Sequence, residues 1–365
     1  MLRTIVVAAV AIALSGCAPT APTSPSAPAA PTIPPSVASP ATGPPAPSAS
    51  TAVPAERMVA HGPNQEPTTL DVPYLAARSF ATGIQAAEPT LGFLSDGRIL
   101  FRGWDRPPEG PVGTGTVARG SADGESWQTV FEPGRRPSHD PYLWVDPATD
   151  RVFIADLHAP GETDPELFCS VISFSDDAGA TWTDSARRCT RTPEDRPRLI
   201  TGRPVTSTLS GYPNVVYLCW QDADAGAGHV CAKSIDGGAS FGERGGEAFP
   251  YRAECNAAFG HAAVGDDGSL WLVTAGCRHP SVAVSRDEGA TWREIQAAPG
   301  DGNGDGEAGI AIDSDGRIYV VWVGADRLPR LVTSPDGEKW SDPIVVAPPG
   351  VRETNIATIA AAGSG

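Results

Sequence analysis

The sequence predicts an all-β, six-bladed β-propeller whose last blade is incomplete in this chain. Three observations predict it. A Ser-x-Asp turn closing on an aromatic returns five times at near-constant spacing, and an Asp-Gly turn precedes it in the clearest repeats. Glycine and proline are abundant, 40 and 37 of 365 residues, and no long apolar pattern of period 3.6 interrupts them.

The repeated turn is clearest in Ser175–Trp182, SDDAGATW, and returns as Ser234–Phe241 and Ser285–Trp292. Versions one residue shorter are Ser121–Trp127 and Ser334–Trp340, so the five starts lie 54, 59, 51 and 49 residues apart. The aspartate accepts hydrogen bonds from its own turn, glycine takes the positive φ, and the aromatic anchors the returning strand. Asp123, Asp177, Asp236, Asp287 and Asp336 therefore read as structural.

These turns resemble the Asp-boxes, or bacterial neuraminidase repeats, of the sialidase-like β-propellers, over roughly residues 85–365. The resemblance implies that each box joins the third and fourth strands of a blade, on the face away from the active site. It marks a scaffold and leaves the chemistry open.

The Asp-Gly element appears as Leu94–Leu100, Gly265–Trp271 and Asp313–Tyr319, with looser versions at Val145–Ile154 and Ser207–Leu218. It joins the innermost strand of a blade to the second. Five repeats run from about 86 to 350, and a sixth begins at Asn355–Ala360. Residues 62–85 have room for one outer strand by ring closure, so a truncated record or gene fragment is expected.

The ends of the chain read differently. Arg3 and the apolar run Thr4–Leu14 form a signal segment too short for a comfortable membrane span, and Leu14-Ser15-Gly16-Cys17 resembles a bacterial lipobox. Residues 1–17 are thus expected to be a lipoprotein signal peptide with Cys17 lipidated. Residues 18–55, almost wholly Ala, Pro, Ser and Thr, form a disordered stalk reaching on the order of 100 Å at about 3.1 Å per residue. Residues 56–365 form the propeller. The expected location is the bacterial extracytoplasmic face, anchored to the membrane by lipid.

The formal charge of −16 argues against nucleic acid and anionic membrane surfaces as partners. Six cysteines besides Cys17 fall in sequential couples without zinc-like spacing. Cys169 and Cys189 flank one turn symmetrically, Cys219 and Cys231 flank Ala225, and Cys255 and Cys277 would join neighbouring strands. Three disulfides are expected, as suits an oxidising compartment.

Chemistry is sought on the face opposite the boxes. Glu88, Asp140, Arg203, His261, Glu307 and Asn355 are placed at the axial ends of the inner strands. Carboxylates converging there would serve acid/base work or hold a cation. His261 also reads as a hydrogen-bonded structural residue. Trp104, Trp220 and Trp322, ending second strands, read either as core or as sugar platforms. The stretch from Arg187 to Arg203, with six arginines, reads as a blade-to-blade link that would bind an anion or pair with the protein's own carboxylates. Asp301, Asn303 and Asp305 match the first half of a calcium loop, but its twelfth position is Ile312. Calcium is the one cofactor they suggest.

The family's catalytic residues do not carry over. Its first arginine, before Ile/Leu-Pro, would clamp a sialic acid carboxylate; here Ala87-Glu88-Pro89-Thr90-Leu91 occupies that stretch. Neither Tyr212 nor Tyr319 matches its tyrosine nucleophile. The leading expectation is recognition of a glycan or other extracellular polymer by a monomer. A divergent, exo-α-sialidase-like glycoside hydrolase using Glu88, Asp140 and Glu307 is the alternative, and a protein-interaction scaffold the third.

Overall fold

In a computed structural model, the structure describes residues 86–105, 116–131, 138–222, 228–250, 258, 260–275, 279–300, 307–347 and 351–361, with 6–8, 56–60, 68–74, 82 and 363 besides. Every regular element among them is a strand. Five consecutive antiparallel sheets form the blades of a propeller.

Blade one is Ala86–Phe93, Ile99–Asp105, Thr116–Ser121 and Gln128–Phe131, paired in that order. Blade two is Tyr142–Val145, Val152–His158, Phe168–Ser175 and Thr183–Thr190. Blade three is Glu194–Gly202, Val215–Asp222 and Gly228–Ser234, its outer edge reduced to single bridges from His229 to Phe249 and Ala232 to Arg244. Blade four is Ala262–Val264, Leu270–Thr274, Ser281–Ser285 and Arg293–Gln296; blade five is Gly309–Ile312, Ile318–Val323, Pro329–Ser334 and Ile344–Val345. Of a sixth blade the described residues give only Thr358–Ala360, paired with Val6–Ala8. Five blades and one further strand thus stand where six blades were expected. Glu56–Ala60 and Thr68–Tyr74 form a hairpin of their own.

The inner strands lie side by side around the axis, each against the next from blade one to Thr358–Ala360. The second strands of blades two to five are almost wholly buried. Their side chains pack between blades on both faces, as where Trp271 and Val284 of blade four meet Val320 and Val332 of blade five. Close approach selects glycine: a Cβ at Gly92 would lie 2.6 Å from the Leu143 side chain of blade two. The residues on either side of it, Leu91 and Phe93, are 56% and 63% exposed.

Four of the five box turns join third to outer strands, and that of blade three leads from its third strand to the bridged edge. In blade two, Ser175 Oγ accepts the Gly179 N–H at 2.7 Å, and Asp177 Oδ1 accepts the Thr181 N–H at 2.7 Å. Asp236 and Asp287 repeat this with Ser240 and Thr291; Asp123 and Asp336 bind the N–H groups of the shorter turns. These donors hold Asp177, bonded first by the Thr181 hydroxyl, and Asp123, bonded first by the Ser126 N–H, down to about 2.

Two cysteine couples are disulfides, Cys169–Cys189 and Cys219–Cys231. Each joins residues directly opposed on neighbouring antiparallel strands. Cys17, Cys255 and Cys277 lie outside the described residues.

Candidate functional site at the axis

Antiparallel meandering puts the starts of the inner strands and the ends of the second strands on one face, away from the boxes. Three consecutive inner strands begin there with a polar residue before proline: Glu88-Pro89, Asp140-Pro141 and Arg196-Pro197. Proline has no N–H to give the ladder, and in blades one and three the register slips at that point, between Ala87 and Thr90 and between Asp195 and Arg198. Glu88 and Arg196 take φ of 51° and 55°, a left-handed backbone that side chains other than glycine's rarely adopt.

The side chains so presented form one network. Asp140 Oδ2 accepts the Arg196 N–H at 3.0 Å, and the Asp140 carboxyl hydrogen-bonds both Glu88 and Asp195. Glu307, from blade five, pairs with Arg196 and accepts from Arg198 Nη2 at 3.1 Å. The Arg198 guanidinium lies 5.1 Å from the ring centre of Tyr142. His261, from blade four, is held by its backbone N–H, which donates to the Ala308 carbonyl at 3.0 Å.

Electrostatics divides the network. Glu88 is exposed as a residue, but its carboxyl is set among neighbours: desolvation first, then the charge and hydrogen bond of Asp140, then Glu307, push it up to about 8. Asp195 is pushed up to about 6, again by desolvation and then by Asp140. Burial, with the Arg198 charge, takes His261 down to about 4, so it is neutral at pH 7. Burial raises Tyr142. In the acidic half, made by Glu88, Asp140 and Asp195, Glu88 therefore retains its proton at neutral pH, and Asp195 holds one into mildly acidic pH. The other half balances Glu307 against two guanidiniums. Such an arrangement can donate a proton, accept one, and take several hydroxyl hydrogen bonds.

Of the residues expected at the axial ends, Glu88, Asp140, His261 and Glu307 come together. Arg203 does not. It follows the far end of the blade-three inner strand, and Arg196 and Arg198 stand in its place. The Arg187–Arg203 stretch is not a loop: it comprises the end of Thr183–Thr190, a three-residue link and Glu194–Gly202. Asn355 instead accepts from Arg327. Trp220 and Trp322 are 1% and 0% exposed and belong to the core, which removes them as sugar platforms. The Trp104 side chain and Asp301, Asn303 and Asp305 lie outside the described residues. Tyr212 is committed to Asp146, and Tyr319 donates to Asp313 at 2.9 Å.

Asp195 and Tyr142 escaped the sequence reading, and Arg196 and Arg198 entered it only as members of the arginine-rich stretch. A signal was present: the polar-Pro dipeptides at 88, 140 and 196 recur at 52 and 56 residues, close to the blade period.

No family model and no curated protein matches the sequence. Among solved structures the chain is similar to the α-L-arabinanase of Penicillium chrysogenum complexed with arabinobiose, at 15% identity and a TM-score of 0.51, over 78% of this chain and 85% of that one. It is similar to the GH93 α-L-arabinofuranosidase of Fusarium graminearum with arabinobiose, at 17% identity and TM-score 0.51, over 74% and 84%. A protein of unknown function from Dyadobacter fermentans gives 14% identity and TM-score 0.52, over 74% and 85%. At such identities the likeness is one of fold, and the fold is the β-propeller.

Proposed function

We propose that this is a glycan-binding propeller that takes a neutral sugar at the axial site. The observation that carries the reading is the position of Asp140, bonded to Glu88, Asp195 and the Arg196 N–H, with Glu307 held by Arg196 and Arg198. Four carboxyl groups against two guanidiniums offer acceptors for paired hydroxyls, and Glu307 already engages both of the guanidiniums that a sugar carboxylate would need. Glu88 stands in the stretch where the sialidase-like family carries its carboxylate clamp, so a sialic acid is disfavoured. The box grammar supports a divergent place in that superfamily. The two fungal enzymes of like fold were each solved with arabinobiose, a neutral disaccharide.

Calorimetric titration with neutral and acidic oligosaccharides chosen from a glycan array tests the reading. Binding of neutral sugars, lost in Asp140→Asn and Glu307→Gln, is expected. Preference for anionic sugars, or binding unchanged in both variants, would overturn it.

A second reading, hydrolysis, is favoured by the raised Glu88. Its carboxyl would give a proton to the leaving glycosidic oxygen while Asp140 takes one from the attacking water. Turnover of fluorogenic arabinosides or other neutral glycosides, abolished in Glu88→Gln, separates enzyme from binder. A scaffold would give neither retention nor turnover.

The lipid anchor at Cys17 and the 18–55 stalk fit a surface glycan binder. Radiolabelled palmitate incorporation, lost in Cys17→Ser, tests the anchor.

A further inference from the structure

The two described disulfides are alike in architecture and unlike in surroundings. Cys219 and Cys231 are both buried, at 0% and 3% exposure, on the second and third strands of blade three. Cys169 is also buried, but Cys189 is half-buried on the outermost strand of blade two. Arg187, two residues before Cys189, turns back over the bridge. Its Nε donates to Cys189 Sγ at 3.1 Å and its Nη2 to Cys169 Sγ at 3.3 Å. The guanidinium is held in place by the Thr163 carbonyl at 2.7 Å, with the Asp164 carboxylate 3.7 Å away. A cation with N–H groups on both sulfurs does little for a neutral disulfide. It favours the thiolates that form when the bond opens.

We infer that Cys169–Cys189 is a thiol-exchange site, opened by an external dithiol while Cys219–Cys231 stays closed. The accessible sulfur sets the direction of attack. A thiolate of the dithiol attacks Cys189 Sγ, forming a mixed disulfide. The Cys169–Cys189 bond breaks, and its electron pair leaves on Cys169 Sγ, beside Arg187 Nη2. The second thiol of the dithiol, deprotonated, then attacks its own partner sulfur and releases Cys189 as a thiolate. Both protein thiolates take protons from water. Two electrons have moved from the dithiol to the protein.

The opened bond has a structural address. Cys189 is followed by one strand residue and the link 191–193, then by the inner strand bearing Asp195, Arg196 and Arg198. Arg188, beside the bridge, already holds Glu194 at 2.5 Å.

The test is graded reduction of the full chain with a limiting dithiol such as dithiothreitol, followed by acid quench, alkylation and peptide mass spectrometry. Cys169 and Cys189 should be alkylated first, with Cys219 and Cys231 as the reference within the same molecule. Arg187→Gln should slow the first opening roughly three- to tenfold, by removing stabilisation of the leaving thiolate, and Arg187→Lys should restore part of the rate. The Cys219–Cys231 rate in each variant reports whether the fold is intact. Equal opening of the two bonds, earlier opening of Cys219–Cys231, or a Gln variant as fast as the parent would overturn the inference.

Discussion

Glu88 and Arg196, two blades apart on the ring, share a left-handed backbone immediately before proline, with φ of 51° and 55°. Each opens a bulge in its inner strand, and each joins the network around Asp140, Glu88 by its carboxyl and Arg196 by its backbone N–H. Strain sits where the polar groups converge, as expected when the backbone is bent to aim a side chain.

Glycine at position 88 therefore separates shape from chemistry. Relief of a left-handed φ is worth about 1–2 kcal/mol, and the added freedom of the unfolded chain offsets about 0.5–1 kcal/mol of it. Glu88→Gly should leave the urea midpoint unchanged or slightly raised while sugar binding is lost. Glu88→Val, β-branched at the same φ, should lower the midpoint.

The acidic half also sets a pH signature. Glu88, with a folded pKa of about 8 against 4.5 unfolded, holds a proton in the native state that the unfolded chain has released. Its contribution is full below about 4.5 and is lost as pH rises to about 8. Asp195 acts likewise from 3.8 to about 6. His261, lowered from 6.5 to about 4, acts in the opposite sense, adding stability as pH rises through that window. The Glu88→Gln variant isolates one of these. Relative to the parent, its stability should climb steadily between pH 5 and 8 in urea titrations; a constant difference would refute the assignment.

Glu288 ties blade four to blade three. Its side chain is fully buried and accepts from the N–H groups of Val205, Thr206 and Ser207, from two hydroxyls, and from Lys233 at 2.6 Å. Glu288→Ala should cost roughly 2–4 kcal/mol by denaturant unfolding, because buried donors lose their acceptor. These bonds hold the carboxyl well below its usual range. Its contribution is present above 4.5 and lost on acidification, so the parent should lose its advantage over Glu288→Gln in acid.

Gly260 keeps blades four and five in contact beside His261. A Cβ there would stand 2.3 Å from the Ala308 carbonyl oxygen and 2.9 Å from that of Val273, both backbone atoms that cannot swing aside. Gly260→Ala should cost about 1–3 kcal/mol in thermal or urea unfolding, and weaken binding with it by displacing His261.

The boxes were legible because their chemistry is local: Ser175, Asp177 and Gly179 satisfy one another within five residues. The axial site was legible only where a lone charged residue preceded an obvious strand, as at Glu88, Asp140 and Glu307. Blade three defeated the reading because its inner strand, EDRPRLITG, begins with four charged residues and a proline. It looked like a loop, so the strand start was moved to Arg203. Trp220 and Trp322, read either as core or as platforms, are core, and the sequence alone could not separate the two. Both faces of a second strand are covered by neighbouring blades, and no local pattern tells a tryptophan buried between sheets from one facing a ligand.

Leu91 and Phe93 face outward from the flank of blade one opposite Gly92. Blade one is joined to blade two through Gly92 against Leu143 and Val145, the Ser95–Asp150 bonds and the Arg102–Asp156 pair, whereas its other flank shows solvent the Leu91 and Phe93 side chains. Cooperative unzipping, deuterium uptake and sticky encounters between molecules should all start at that flank and travel toward the tightly wedged middle.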